Sequence, residues 1–430
     1  HEVVGTFREF ERAATTEVDA ALSPLLAAYL RRLLDRAGEA GLPEPAIMQS
    51  SGGLTDPATA AAHAAFTVLS GPAGGAAAAA LLAAQAGEPD LLCFDMGGTS
   101  CDVCVVEGGA VRETAGRQVG GRPLALPMVD IHTVGAGGGS IAWRDPGGAL
   151  RVGPRSAGAE PGPACYGRGG TEPTVTDAHV VLGHLDDDLA GGVALDAGAA
   201  HAAVAGLADE LGLADARACA RGIVEVADAE MVRALRVMTV ERGLDPRRFT
   251  LLPFGGAGPL HAAGIADALG IGRVLVPRAS GVLSALGLAA ADRRRDEART
   301  VMLRGEALTA EALQEAAGGA GEVAWDVRYA GQSHELTLRG IEPEPEAVRA
   351  ALAAAHEDRY GYAEPDAAVE VVTVRRTRRE RGPDLDLATD AAEPERRGPC
   401  RIALPGSTLL VPDGWRVRPA EAGCLLLERA

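Results

Sequence analysis

Leu91-Leu92-Cys93-Phe94-Asp95-Met96-Gly97-Gly98-Thr99-Ser100-Cys101-Asp102-Val103-Cys104-Val105-Val106 is the stretch that decides the fold of this 430-residue chain. Residues 91–94 are apolar without interruption, which reads as a buried strand. The turn over 95–100 holds two adjacent glycines, and 101–106 reads as a second strand. Strand, glycine turn, strand is a hairpin suited to embracing a phosphate. Glycine lets the backbone approach an oxyanion closely, with N–H groups aimed at it.

Asp95 stands at the strand end, followed by Gly97, Gly98 and Thr99. Actin-like and sugar-kinase-like ATPases hold phosphates with such a series: the glycine amides bind phosphate oxygens, and the carboxylate orients hydrated Mg²⁺ or the attacking group. An ordinary hairpin with a polar turn is the simpler alternative. A second turn, Gly255-Gly256-Ala257-Gly258-Pro259, follows about 160 residues later, between the strand 250–254 and a helix from about Leu260. In that position side chains would collide with an adenosine; a tight strand-to-helix connection is the alternative. The two turns, in this order and at this separation, favour an ATPase.

Further out, 7–40 reads as one or two long amphipathic helices, with Leu22, Leu25, Leu26, Tyr29, Leu30 and Leu33 at helical spacing and Pro24 opening a new turn. Ile47-Met48-Gln49 reads as a short strand. An Ala-rich helix follows Ser70-Gly71-Pro72 and runs to about Gln85. Gly135-Ala136-Gly137-Gly138-Gly139-Ser140 is a further glycine loop, and 150–177 is irregular and rich in Gly and Pro. Helices are expected from about 196 to 243 and over 281–291, and a short strand at 274–277. Composition shifts near 292–298, so the expected division is a domain over 1–295, a smaller α+β domain over 296–382, a linker over 383–398 and a small β module over 399–430.

Composition excludes several classes. The chain has 41 basic and 59 acidic residues, a net charge of −18. It contains neither lysine nor asparagine, which removes a Walker-type P-loop, Schiff-base chemistry and N-glycosylation. The acidic balance argues against nucleic-acid binding. A hydrophobic share of 47% supports a large core, and with aromatics at 3% that core must be Ala, Val and Leu. Seven cysteines, odd in number and scattered, point to reduced thiols in a cytoplasmic protein. No apolar run is long enough to span a membrane, and no signal peptide is visible. The Cys101-x-x-Cys104 pair lacks the second pair a zinc ribbon needs. His132 and His261 flank glycine turns and are read as ligand contacts or structural histidines; His179 and His184 are weighed as a metal pair. No G-x-S-x-G element is present.

These motifs resemble a family. Asp95-Met96-Gly97-Gly98-Thr99-Ser100-Cys101-Asp102-Val103 looks like the D-M-G-G-T-S-T-D-V signature of the hydantoinase A / 5-oxoprolinase family. His132–Ser140, Val152–Ala159, Pro161–Gly167, Thr174–Ala178 and Phe254–His261 continue the match in order, and Arg328–Ser333 with Tyr360-Gly361-Tyr362 resemble its C-terminal region. The resemblance covers essentially the whole chain. It implies an α/β, actin-like (ribonuclease H-like) ATPase fold, and ATP-dependent opening of a cyclic amide such as hydantoin, N-methylhydantoin or 5-oxoproline through phosphorylation of the amide oxygen. It implies ATP and Mg²⁺ as cofactors, and a B-type subunit, fused or separate, as partner. Asp95 and Thr99 are then the catalytic candidates, with Asp95 toward Mg²⁺. Gly97 and Gly98 are candidates for phosphate, Gly255, Gly256 and Gly258 for adenosine, and Gly137, Gly138 and Ser140 for closing the site.

Two departures accompany the match. Cys101 replaces the family's usual Thr. The family also begins with a domain carrying a first D-x-G-G-T loop, whereas this chain has one such loop, at 95–99, and opens on His1 rather than Met. The expectation is therefore a fold incomplete at the N-terminus. An acetone or acetophenone carboxylase-type subunit, which shares the fold and activates a ketone or bicarbonate, is the first alternative. A non-catalytic nucleotide-binding remnant is the second.

Overall fold

A computed structural model describes residues 2–189, 192–387 and 394–430. The expected linker over 383–398 thus lies partly outside the described residues. By contact the chain falls into two units, each assembled from separated stretches: Gly71–Arg112, Val129–Ala290 and Asp384–Ala430 in one, His1–Ser70, Glu113–Met128 and Ala291–Pro383 in the other. The linear division at 295 passes through a continuous strand, Arg293–Arg304.

The first of these units carries the motifs. Its sheet is built around β1 (Leu91–Met96), β2 (Cys101–Glu107), β3 (Ile131–Val134), β4 (Thr250–Phe254), β5 (Arg273–Pro277), β6 (Trp415–Ala420) and β7 (Cys424–Arg429). Their spatial order is β3-β2-β1-β4-β5-β7-β6. β4 runs parallel to both β1 and β5, and the other pairs are antiparallel. β4 is buried along its whole length, as a central parallel strand must be.

Helices α1 (Ser70–Ala86), α2 (Val175–Leu182), α3 (Ala197–Leu211), α4 (Ala216–Met238), α5 (Gly258–Leu269) and α6 (Leu283–Ala290) belong to this region of the chain. α4 begins where Asp215 accepts the Ala218 N–H at 2.6 Å. Its Ile223, Ala227, Met231, Leu235 and Met238 recur every three or four residues and are all buried. Each of the large ones contributes about 1.5–3 kcal/mol by leaving water. α2 starts from a capping box between Thr174 and Asp177. Asp177 also accepts the Cys165 N–H at 2.7 Å, which ties the Pro-rich stretch before it to the helix. The segment expected to be irregular from 150 contains a regular strand, Leu150–Ser156, paired with Ser140–Arg144. Glycines and Pro154 hid its pairing from a pattern reading.

In the other unit the strands Ile47–Met48, Leu54–Thr55, Arg293–Arg304, Val369–Glu380, Glu322–Tyr329 and Leu336–Arg339 form one sheet in that order. Its core joins Trp325, Val327 and Val371 to Leu313, Val348 and Leu352 of the helices Ala310–Ala317 and Pro345–Tyr360. The N-terminal helix is a single element, Glu9–Glu39, with Pro24 inside it rather than opening a new turn. Helical spacing there overstated burial: Leu30 is buried, while Leu25 and Tyr29 are exposed. Among the described residues no helix is long and apolar enough to cross a membrane.

Candidate functional site

Parallel pairing of β1 and β4 places Asp95 beside Phe254 in register. The turns that follow the two strands therefore leave the same end of the sheet, at the carboxyl ends of parallel strands, where ligands of α/β folds commonly bind. Gly255 has φ +80° and packs directly on Asp95: a Cβ there would lie 2.4 Å from Asp95 Oδ1 and 2.5 Å from the Met96 carbonyl. The Gly255 N–H donates to Ser280 O at 2.9 Å and the Ala257 N–H to Met96 O at 3.0 Å. α5 starts immediately afterwards, at Gly258-Pro259. Around Gly256 there is room, the nearest atom to a Cβ being Gly406 O at 3.6 Å; Gly258 faces Phe94 at the same distance.

A third loop closes on the phosphate-type turn. The Gly138 N–H donates to Gly97 O at 3.0 Å and the Gly139 N–H to Gly98 O at 2.7 Å. A Cβ on Gly137 would stand 2.6 Å from the Thr99 amide nitrogen. Ser140 is wholly buried, and its hydroxyl accepts the Gly137 N–H at 2.8 Å, which holds the loop's own shape. Gly98 and Thr99 remain exposed. The three glycine-rich loops singled out from sequence thus meet at the 95–99 turn, the 137–140 loop against Gly97, Gly98 and Thr99 and the 255–258 turn against Asp95 and Met96.

Asp95 is half-buried, and Ser284 Oγ of α6 donates to its Oδ2 at 3.0 Å. Burial pushes its carboxyl up to about 6; the Ser284 hydrogen bond opposes this, and Asp102, its register partner on β2, adds to it. No cationic side chain contributes to the balance. An acid so placed fits a cation. Among the described residues no group of three or more His, Cys, Asp or Glu could hold a metal by itself. Asp95 alone supplies one carboxylate to any cation bound here.

Sequence reading missed Ser284, which sits in a stretch read only as a small-residue helix. It also gave no role to Thr176, whose N–H and Oγ1 both donate to Gly138 O at 2.8 Å and so fix the closing loop to α2. Cys101 is fully buried opposite Met96, and burial drives its thiol well above the ordinary range, so it is no nucleophile. Cys104 is buried too, opposite Cys93, and all seven cysteines are free thiols. His132 lies on β3 opposite Val103. His179 and His184 do meet, with Nδ1 atoms 3.0 Å apart, and His261 joins them. A cavity of about 1410 Å³ lies within the other unit and includes none of the motif residues. It is lined by arginines largely satisfied by acids, as in Arg294 with Glu113 and Asp296 and Arg376 with Glu297.

Comparison with known proteins gives one family, two relatives and two solved structures. The hydantoinase/oxoprolinase family profile matches residues 12–297. The caprolactamase subunit alpha of Pseudomonas jessenii is 34% identical over 97% of this chain and 69% of its own length, and 5-oxoprolinase 1 of Arabidopsis thaliana is 35% identical over 77% and 29%. The crystal structure of the ATP-dependent caprolactamase from Pseudomonas jessenii superimposes with a TM-score of 0.83 at 32% identity, covering 100% of this chain and 72% of that one. The nucleotide-free structure of acetone carboxylase, described as ATP-dependent, gives 0.77 at 25% identity over 93% and 67%. The chain spans about half the length of the curated relatives it matches.

Proposed function

Because this chain belongs to the hydantoinase/oxoprolinase family and has the actin-like ATPase fold of its structural relatives, we propose that it forms the nucleotide-binding part of an enzyme that opens a cyclic amide at the expense of ATP. The observation that carries this reading is the packing of the loops 137–140 and 255–258 against the 95–99 turn, the first on Gly97, Gly98 and Thr99 and the second on Asp95.

An amide carbonyl is a poor electrophile. In the proposed reaction its oxygen attacks the γ-phosphorus of ATP, the bond to the β-phosphate oxygen breaks, and ADP leaves. Water adds to the activated carbon, the ring C–N bond breaks with the amine taking a proton, and a second water releases phosphate from the acyl phosphate. One ATP, one lactam and two waters thus give ADP, phosphate and an open-chain amino acid. The protein's share is positioning and charge neutralisation. Gly97 and Gly98 present backbone to the phosphates, with the Thr99 hydroxyl beside them. Gly256 leaves space for adenosine at a turn that Gly255 and Gly258 pack against Asp95 and Phe94, and Gly137 and Gly138 close the phosphate side with Ser140 holding their loop. Asp95 would hold Mg²⁺, which supplies charge neutralisation on the phosphate oxygens. A separate or fused B-type subunit belongs to this reading, since the caprolactamase relative is named as one subunit.

Lactam-dependent release of ADP by the full protein with its partner subunit tests the proposal. Turnover is expected with at least one of caprolactam, hydantoin, N-methylhydantoin or 5-oxoproline; ATP release of phosphate that no lactam stimulates would sink it. The resemblance to acetone carboxylase favours one other reading. ADP release that requires a ketone together with bicarbonate, and ignores lactams, would establish that one instead.

A further inference from the structure

Four side chains of the motif-bearing unit form an uninterrupted polar line. Asp228 Oδ1 of α4 meets His261 Nδ1 of α5 at 2.6 Å. His261 Nε2 meets His179 Nε2 of α2 at 3.2 Å, and His179 Nδ1 meets His184 Nδ1 at 3.0 Å. His179 and His261 are almost fully buried, while the two ends of the line reach toward the surface. Within α5, Gly264 makes the room: a Cβ there would press to 2.7 Å from Asp228 Oδ2.

The chemistry of the groups gives the line one direction. A carboxylate only accepts, so His261 carries its proton on Nδ1 and its Nε2 is a lone pair. His179 must then donate from Nε2, which leaves its Nδ1 as an acceptor. His184 accordingly donates from Nδ1 and turns Nε2 outward. With all three rings neutral, every hydrogen bond is satisfied only in these tautomers. A proton added to His179 would set its new N–H against that of His184. The nitrogens meet in two separate pairs on opposite edges of the His179 ring, so no three converge on one point, in keeping with the absence of a metal-holding cluster among the described residues.

We propose that Asp228, His261, His179 and His184 are a directional hydrogen-bonded tie that joins the helix behind the Gly255–Gly258 turn to the helix behind the Gly137–Ser140 loop, and so sets the spacing of the two loops. This rests on the reading of those loops as a nucleotide site. His261 lies in the first turn of α5, and α2 is the helix whose Thr176 holds Gly138 O. The tie is therefore attached within one helical turn of each loop. These are positioning residues; none touches the reacting atoms.

The surroundings favour the neutral form of His179 and His184. Burial drives His179 well below the ordinary value of 6.5, and its two neighbouring histidines push the same way. His184 is lowered first by burial, then by His261, Arg217 of α4 and Arg401. Arg401 also donates to Gly183 O at 2.7 Å and pairs with Asp186 at 2.6 Å, which fixes the turn that carries His184. Asp228 is the acid that faces His261. Acid should thus undo the tie only well below pH 6.5, when His179 Nδ1 takes a proton and opposes the His184 N–H.

The test is long-range ¹⁵N–¹H correlation spectroscopy of the histidine-labelled protein at pH 7, with metal analysis of the same sample. Protons on Nδ1 of His184 and His261 and on Nε2 of His179 are expected, with no stoichiometric zinc. Any other tautomer set, a charged His179 or bound zinc overturns the tie. The second arm measures ATP affinity: His179→Leu should weaken it roughly tenfold, the loss expected for about 1.4 kcal/mol. His179→Gln, which restores one hydrogen bond, should recover part of that loss and lose the acid dependence. Equal affinity in all three proteins overturns the positioning role. Failure of every lactam as substrate would leave both arms standing, so the two readings fail separately.

Discussion

Gly255 and Asp95 touch so closely that a methyl group on Gly255 would stand 2.4 Å from Asp95 Oδ1 and 2.5 Å from the Met96 carbonyl. The second obstacle is backbone and cannot rotate aside. At φ +80° an L side chain is strained as well. Gly255→Ala should therefore cost about 2–4 kcal/mol in urea unfolding and abolish ATP turnover. An Ala variant with wild-type stability would mean that the loop is looser than described.

Gly256 offers the opposite case, because the nearest atom to a Cβ there is 3.6 Å away. Gly256→Ala should fold with a stability change within about 0.5 kcal/mol. If the turn receives adenosine, the same variant should bind ATP at least several-fold more weakly in calorimetry. Unchanged binding would remove Gly256 from the nucleotide site.

Asp95 sets a pH dependence whose sign is fixed by the direction of its shift. Its folded value is raised from 3.8 to about 6. Its contribution to stability is thus present in full below 3.8 and lost as pH rises through about 6. Asp95→Asn keeps the Ser284 contact without the charge. It should stabilise the protein at pH 7 by up to about 3 kcal/mol while eliminating turnover. Melting temperatures across pH 4–8 check the first part; a variant less stable than the parent at pH 7 contradicts it.

Ser284→Ala removes the hydrogen bond that lowers the Asp95 carboxyl. Asp95 should then ionise at still higher pH, and the acid limb of the kcat/KM profile should move upward by a measurable fraction of a unit. At high pH, with Asp95 ionised in both proteins, the rates should approach each other. A profile that drops uniformly without moving would assign Ser284 a purely structural role.

Gly137→Ala separates the closing loop from the rest. Its Cβ would collide with the Thr99 amide at 2.6 Å, yet the backbone there needs no left-handed conformation. Expected costs are about 1–3 kcal/mol in stability and a rise of at least about tenfold in the Kd for ATP. Normal affinity would place the 137–140 loop outside the phosphate site.

The motif strands were legible because their local signals agree. Leu91–Phe94 and Thr250–Phe254 are apolar runs ended by glycine turns, and both form as read. What no pattern could show is that β1 and β4, so far apart in sequence, pair in parallel and put Gly255 on Asp95. Ser284 was invisible for the same reason: a serine in a helix of small residues carries no local mark, and its role exists only through a partner 189 residues away. The histidine line was half legible. His179 and His184 stood out as a pair, but Asp228 and His261 come from two other helices. Leu25 and Tyr29 failed in the opposite direction, because helical spacing reports a face and not what covers it.

The pairing of β7 with β5 bears on how the protein is made. Five consecutive residues of β5, Arg273–Pro277, oppose five near the end of the chain, Cys424–Glu428. During synthesis β5 emerges about 150 residues before its partner. At a few residues per second, the apolar edge Val274-Leu275-Val276 waits many seconds with unpaired backbone groups, the condition under which strands add to the wrong neighbour. Nascent chains stalled short of residue 424 should therefore be protease-sensitive through β5 and recruit chaperones, and emergence of Cys424–Glu428 should end both.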